Sequence, residues 1–108
     1  PEYEWAAEVA RWNPNVFFDL SGSTLTKMSS RLEDFKKYFW WSGQGEWKTA
    51  TPANDESAFV KLVFGSDSGL DGIERVVTQY RALFKSCDVP ASTQQMIMGG
   101  TLAGILRL

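Results

Sequence analysis

The chain has 108 residues, 44% hydrophobic and 14% aromatic, with five Trp, one Cys, no His and a formal net charge of -2. That length accommodates one domain, the aromatic content excludes a disordered chain, and the slightly acidic balance gives no electrostatic basis for nucleic-acid binding. A single Cys makes no internal disulfide, so a cytoplasmic setting is expected, and without His the chain cannot by itself build a Ser-His-Asp triad, a Cys-His pair or a His-ligated zinc.

Residues 2–12 suit a helix, with Tyr3, Ala6, Ala7 and Ala10 on one face and Trp5, Val9 and Trp12 on a second stripe beside it. Asn13-Pro14-Asn15 stops it, because Pro disfavours helical geometry in the residue before it. Residues 16–20 (VFFDL) are expected to form a short, doubly covered strand that Ser21-Gly22-Ser23 ends. The next helix spans 31–41, with Leu32, Phe35 and Phe39 on one stripe and a Ser30/Glu33 capping box at its start. A polar connection follows over 42–58, with room for a short helical turn around Asp55 to Phe59. Residues 60–65 (VKLVFG) form a second apolar strand in this reading. The clearest helix is 71–86, where Ile73, Val76, Val77, Tyr80, Leu83 and Phe84 make a one-sided stripe and Asp71 with Glu74 resembles a capping box. Two short helices, 92–98 and 101–107, are separated by Gly99-Gly100, with Ser92 and Gln95 as a third capping-box pattern. No apolar run approaches the ~20 residues of a membrane span.

Strands alternating with amphipathic helices imply an α/β class with parallel pairing. Two parallel strands are not a domain, since both edges would expose unpaired backbone groups. The expectation is therefore a single partial domain over 1–108, a piece of a larger sheet or barrel. Residues that follow such strands carry function in parallel architectures. Asp67, after the second strand, is placed for a catalytic carboxylate, and a turn-forming Asp would sit there equally well. Asp19, inside the first strand, either lines a site beside Asp67 or is a satisfied structural group. Ser21-Gly22-Ser23-Thr24 lacks the Lys and spacing of a phosphate loop. The stretch from Asp67 to Gly72 is not a calcium loop, because Gly69 and Thr78 fill positions that need acidic ligands. Trp40, Trp41 and Trp47 suit packing or an interface, with sugar stacking a remote alternative. Cys87 has no basic sequence neighbour to activate it.

The phrase Pro14-Asn15-Val16-Phe17-Phe18-Asp19-Leu20-Ser21-Gly22, followed by Leu62-Val63-Phe64-Gly65-Ser66-Asp67, resembles the C-terminal part of the amidohydrolase-related family. These are metal-dependent hydrolases and decarboxylases related to aminocarboxymuconate-semialdehyde decarboxylase. Residues 99–108 are similar to the family's closing helix. The resemblance implies the C-terminal portion of a (β/α)8 TIM barrel, whose full ring needs roughly 250 residues. Residues 16–20 and 60–65 would be its seventh and eighth strands, and Asp67 the carboxylate that approaches or ligates the metal and moves protons. Thr101 departs from the family's frequent Asn, and Ser68-Gly69 from its aromatic-Pro pair. The His ligands of the family have no counterpart in these residues.

The resemblance implies an enzyme that hydrolyses or decarboxylates a small organic substrate with one divalent metal, zinc being the expected ion. Asp67 would be the catalytic acid or base and a metal ligand only alongside histidines from elsewhere. Asp19, Ser21 and Ser68 would line the substrate pocket. The isolated chain is expected to bind no metal and to be inactive, and its partners would be the substrate and either the rest of the barrel, another chain or a second copy. The competing reading is a non-catalytic module that docks on another chain through strand edges and the Trp-rich segment.

Overall fold

The computed structural model describes residues 2–39 and 57–108. Its helices are α1 (Tyr3–Trp12), α2 (Thr24–Lys27), α3 (Asp34–Phe39), α4 (Ile73–Ser86), α5 (Ala91–Gln95) and α6 (Thr101–Ile105). Single 3-10 turns cover Ala58–Lys61 and Leu70–Gly72, and a π turn, Met96–Gly100, joins α5 to α6. The Trp-rich segment and most of the 42–58 connection lie outside the described residues.

The core follows the amphipathic stripes. On α4, Val76, Tyr80, Leu83 and Phe84 are buried, and from the α3 region Leu32, Phe35 and Phe39 join them. Phe18, Phe39 and Phe59 meet edge to face, with Phe18–Phe39 centroids 5.2 Å and Phe39–Phe59 centroids 5.3 Å apart. Helix α1 packs on α3 and on the Ala58–Lys61 turn. Its inner face is the small one, Ala7 and Ala10, because methyl groups allow close approach. The larger stripe faces outward, with Trp5 70%, Val9 51% and Trp12 63% exposed.

The expected α/β architecture is not what the chain adopts. Among the described residues there is no strand or sheet, so the fold is a small helical domain, not a portion of a TIM barrel with parallel strands. Residues 16–20 and 62–65 are extended, and they meet at one parallel bridge, Phe18 with Leu62. The Phe18 N–H donates to the Lys61 carbonyl at 3.1 Å and the Val63 N–H to the Phe18 carbonyl at 2.9 Å. Three features end the ladder there. The first two residues of the expected 60–65 strand, Val60 and Lys61, are coiled into the 3-10 turn. Beyond the bridge, the Leu20 and Gly65 N–H groups both donate to the Tyr80 hydroxyl, at 3.2 and 3.3 Å. The Phe64 N–H donates to the Ile97 carbonyl at 2.9 Å, which the π turn frees from helical pairing. Backbone groups that would have continued a sheet are thus satisfied by a side chain and a helix.

The remaining differences are local. Gly99 breaks the helical dihedrals as the Gly-Gly pair foretells, yet the chain coils through the break without unwinding. The four-residue α2, Thr24–Lys27, was not expected from the sequence. No helix of the described residues is long and apolar enough to cross a membrane.

Candidate functional site

The parallel bridge dictates the geometry of the site. Because both extended segments run the same way, the turns that follow them, 19–23 and 65–68, emerge side by side. Two glycines allow their close approach. A Cβ on Gly65 would lie 2.9 Å from Asp19 Cγ, so the Asp19 side chain lies across Gly65. A Cβ on Gly22 would lie 3.1 Å from Asp67 Oδ2, and Gly22 has φ +70°, a backbone region that suits glycine. Asp67 itself has φ 45°. That left-handed conformation is uncommon outside glycine, tolerable for Asp, and turns its carboxylate toward the neighbouring turn.

Beneath the two turns lies the Tyr80 hydroxyl. It accepts the Leu20 and Gly65 N–H groups and donates to the Val63 carbonyl at 3.5 Å. Burial pushes its pKa up, and the Asp19 charge adds in the same direction, so the hydroxyl stays protonated as a structural pin. Beside the turns an open groove of about 330 Å³ is lined by Gly22, Ser23, Ser66, Asp67, Arg75 and Gln79, among others. Gln79 Nε2 donates to Thr26 Oγ1 at 2.8 Å, which ties α4 to α2 at the groove wall.

Of the residues singled out in the sequence, Asp67 lines this groove. Asp19 is adjacent, and its Oδ1 accepts the Ser21 N–H at 2.8 Å, a local turn bond. Ser21 contributes that backbone donor, and the Ser68 hydroxyl donates to the Gly69 carbonyl at 3.1 Å. The hydroxyls on the groove are Ser23, Ser66 and Thr26 instead. Arg75, Gln79 and Tyr80 were not foreseen as site residues. Arg75 and Gln79 carried a usable signal: they are four apart on α4, beside the apolar stripe, and therefore share one wall.

No family model, no curated protein and no solved structure matches this chain.

Zinc sites need three or four protein ligands. No group of three or more His, Cys, Asp or Glu side chains converges among the described residues. Asp19 and Asp67 alone do not fit a zinc centre. Cys87 is no candidate either: it is buried, its thiol donates to the Leu32 carbonyl at 3.3 Å, and burial pushes its pKa up to about 11. A thiol held protonated in this way is neither a nucleophile nor a metal ligand near neutral pH.

Proposed function

We propose that this chain supplies a proton-transferring carboxylate, Asp67, to a metal-dependent hydrolytic centre that acts on a small organic substrate and is completed by residues outside the 108. The observation that carries this reading is the pairing of the two turns, which sets an exposed carboxylate, in a left-handed backbone conformation, at the edge of a polar groove. Special backbone geometry concentrates at functional positions. The chemistry asked of Asp67 is simple. One carboxylate oxygen takes a proton from water as the water oxygen adds to a substrate carbonyl, then returns it to the leaving group as that bond breaks. In a decarboxylation the same group would deliver the proton that replaces carbon dioxide.

In the assembly that completes the site, Asp67→Asn is expected to lower kcat by about 10²–10⁴-fold, the usual range for a general acid-base group, with metal content unchanged. The 108 residues alone are expected to bind no zinc stoichiometrically in calorimetry. Tight stoichiometric zinc, or full activity in Asp67→Asn, contradicts the proposal.

One observation favours a second reading, an interaction module. The surfaces named for it in the sequence are not those described, since the Trp-rich segment lies outside the described residues and no strand edges form. The exposed Trp5-Val9-Trp12 stripe of α1 is a different apolar face of the same kind. Light scattering decides: a concentration-dependent dimer or larger species that Trp5→Lys/Trp12→Lys abolishes supports the module.

A further inference from the structure

The outward stripe of α1 takes no part in the groove chemistry. Trp5, Val9 and Trp12 are 70%, 51% and 63% exposed, and with about 250 Å² for a whole Trp and about 100 Å² for a Val side chain they present roughly 400 Å² of apolar surface. A non-obligate interface is only about 57% apolar, so an apolar centre of that size belongs to a patch of roughly 700 Å² per copy, close to the about 800 Å² per partner of a standard complex. Trp12 is set as an anchor. Its indole N–H donates to Glu8 Oε2 at 3.1 Å, and the Arg11 guanidinium lies 5.2 Å from its ring centre. Glu8 Oε1 pairs in turn with Arg11 at 3.5 Å. The ring is therefore oriented and its one polar atom satisfied within the chain, so covering Trp12 strands no donor.

The stripe is also self-complementary. Val9 has one Trp four residues before it and another three residues after it, about 6 Å and about 4.5 Å away along the helix axis. A two-fold axis at Val9 lays the Trp5 of each copy beside the Trp12 of the other. This alternation of four and three is the spacing by which two helices mesh along a seam. Ala6, exposed beside Trp5 and Val9, leaves room for the incoming ring. Charge selects the direction. Glu2 and Glu4 make the start of α1 acidic and are exposed, whereas Arg11 stands in its last turn and the Lys61 ammonium is fixed on the carbonyls of Asn13, Pro14 and Val16 just beyond it. Antiparallel copies bring acidic start against basic end and oppose the two helix dipoles, and parallel copies stack like charges. The same carboxylates, with Glu8, border the stripe and oppose an anionic lipid surface.

We infer that α1 docks on α1 of a second copy of this chain, antiparallel, with Trp5 and Trp12 as the anchors. The inference rests on the interaction reading of this stripe and commits it to one partner; it is independent of Asp67.

Sedimentation equilibrium and isotope-filtered Overhauser spectra on a mixture of labelled and unlabelled chains test it. The chain is expected to dimerise with a Kd on the order of 100 μM or tighter, as an interface of this size allows. Trp12→Ala should raise that Kd by about 30-fold, as truncation of an anchor does, and Trp12→Phe should raise it less. Because Trp12 is exposed, the helix is retained in both variants, which far-ultraviolet circular dichroism checks. The filtered spectra should connect the Trp5 ring of one copy to the Trp12 ring of the other. A chain that stays monomeric at about 1 mM, well above that Kd, overturns the inference, and so does a monomer that sediments with phosphatidylcholine vesicles. Intermolecular contacts from Trp5 to Leu102 and Ile105, the exposed face of α6, overturn it by giving the stripe a different occupant. A dimer that Trp5→Lys/Trp12→Lys leaves intact removes the interaction reading itself. A dimer that those changes abolish, yet whose spectra lack Trp5–Trp12 contacts between copies, removes only the antiparallel pairing inferred here.

Discussion

Single atoms decide much of this structure, and the Tyr80 hydroxyl decides most. It satisfies two backbone N–H groups from segments that are far apart in sequence, at a fully buried position. Tyr80→Phe keeps the ring packing with Phe64 and Phe84 and leaves both donors without an acceptor. It should lose about 1–3 kcal/mol in urea unfolding, the cost of stranding buried polar groups. Lys61 works similarly at the end of α1, where its ammonium donates to three carbonyl oxygens at 2.8–3.3 Å and lies over the Phe17 ring. Lys61→Met retains the stem and removes those bonds, for an expected loss of about 1 kcal/mol. At Gly22 the φ of +70° and the nearby Asp67 oxygen both oppose a side chain. Gly22→Ala should destabilise by about 1 kcal/mol or more and displace Asp67. The three capping boxes expected from sequence do not form. Helices α4 and α5 have no side-chain cap bond, and α3 starts at Asp34, four residues after Ser30. Short polar spacings recur by chance, and a helix start that is set by packing overrides them.

The helices were legible where burial and periodicity agree. The stripe of Val76, Tyr80, Leu83 and Phe84 needs a one-sided helix, and α4 is one. Phe35 and Phe39 were assigned inward correctly for the same reason. On α1 the sequence suggested two adjacent apolar stripes, yet close contact with α3 and the 58–61 turn buries only Ala7 and Ala10 and leaves Trp5, Val9 and Trp12 exposed. The strands were misread because a run such as VKLVFG satisfies burial in any extended or tightly coiled form. Periodicity cannot separate those over six residues, and the partners that truncated the ladder, Tyr80 and Ile97, are remote in sequence. The candidate site was partly legible. Position after an extended segment singled out Asp67, and the side-by-side turns agree with that placement. Arg75 was overlooked because an exposed Arg on a helix is ordinarily only a solvated charge.

At the scale of the molecule, the described helices are joined through an aromatic core and the parallel bridge of Phe18 with Leu62. Alkaline pH should expose the linkage between core and ionisation. Cys87 is pushed up to about 11 and Tyr80 is raised as well, both by burial. The native state therefore holds their protonated forms more strongly than the unfolded chain does. Their contribution is complete below about pH 8.5, the ordinary thiol value, and is lost as pH rises through about 11 for Cys87. Urea midpoints measured from pH 7 to 11 should be flat and then fall, and Cys87→Ala should lessen that fall. The larger claim is that parallel contact between residues 16–20 and 62–65 sets the Asp19–Gly22 and Gly65–Asp67 turns against each other at one end. Nuclear Overhauser spectra test it most directly. The parallel arrangement predicts contacts from Phe18 to Leu62 and Val63, from Gly22 Hα to the Asp67 Hβ protons, and slow exchange of the Val63 amide. Contacts that pair Leu20 with Val60 and Val16 with Phe64, the antiparallel register, would place the two turns at opposite ends and contradict both the fold and the site.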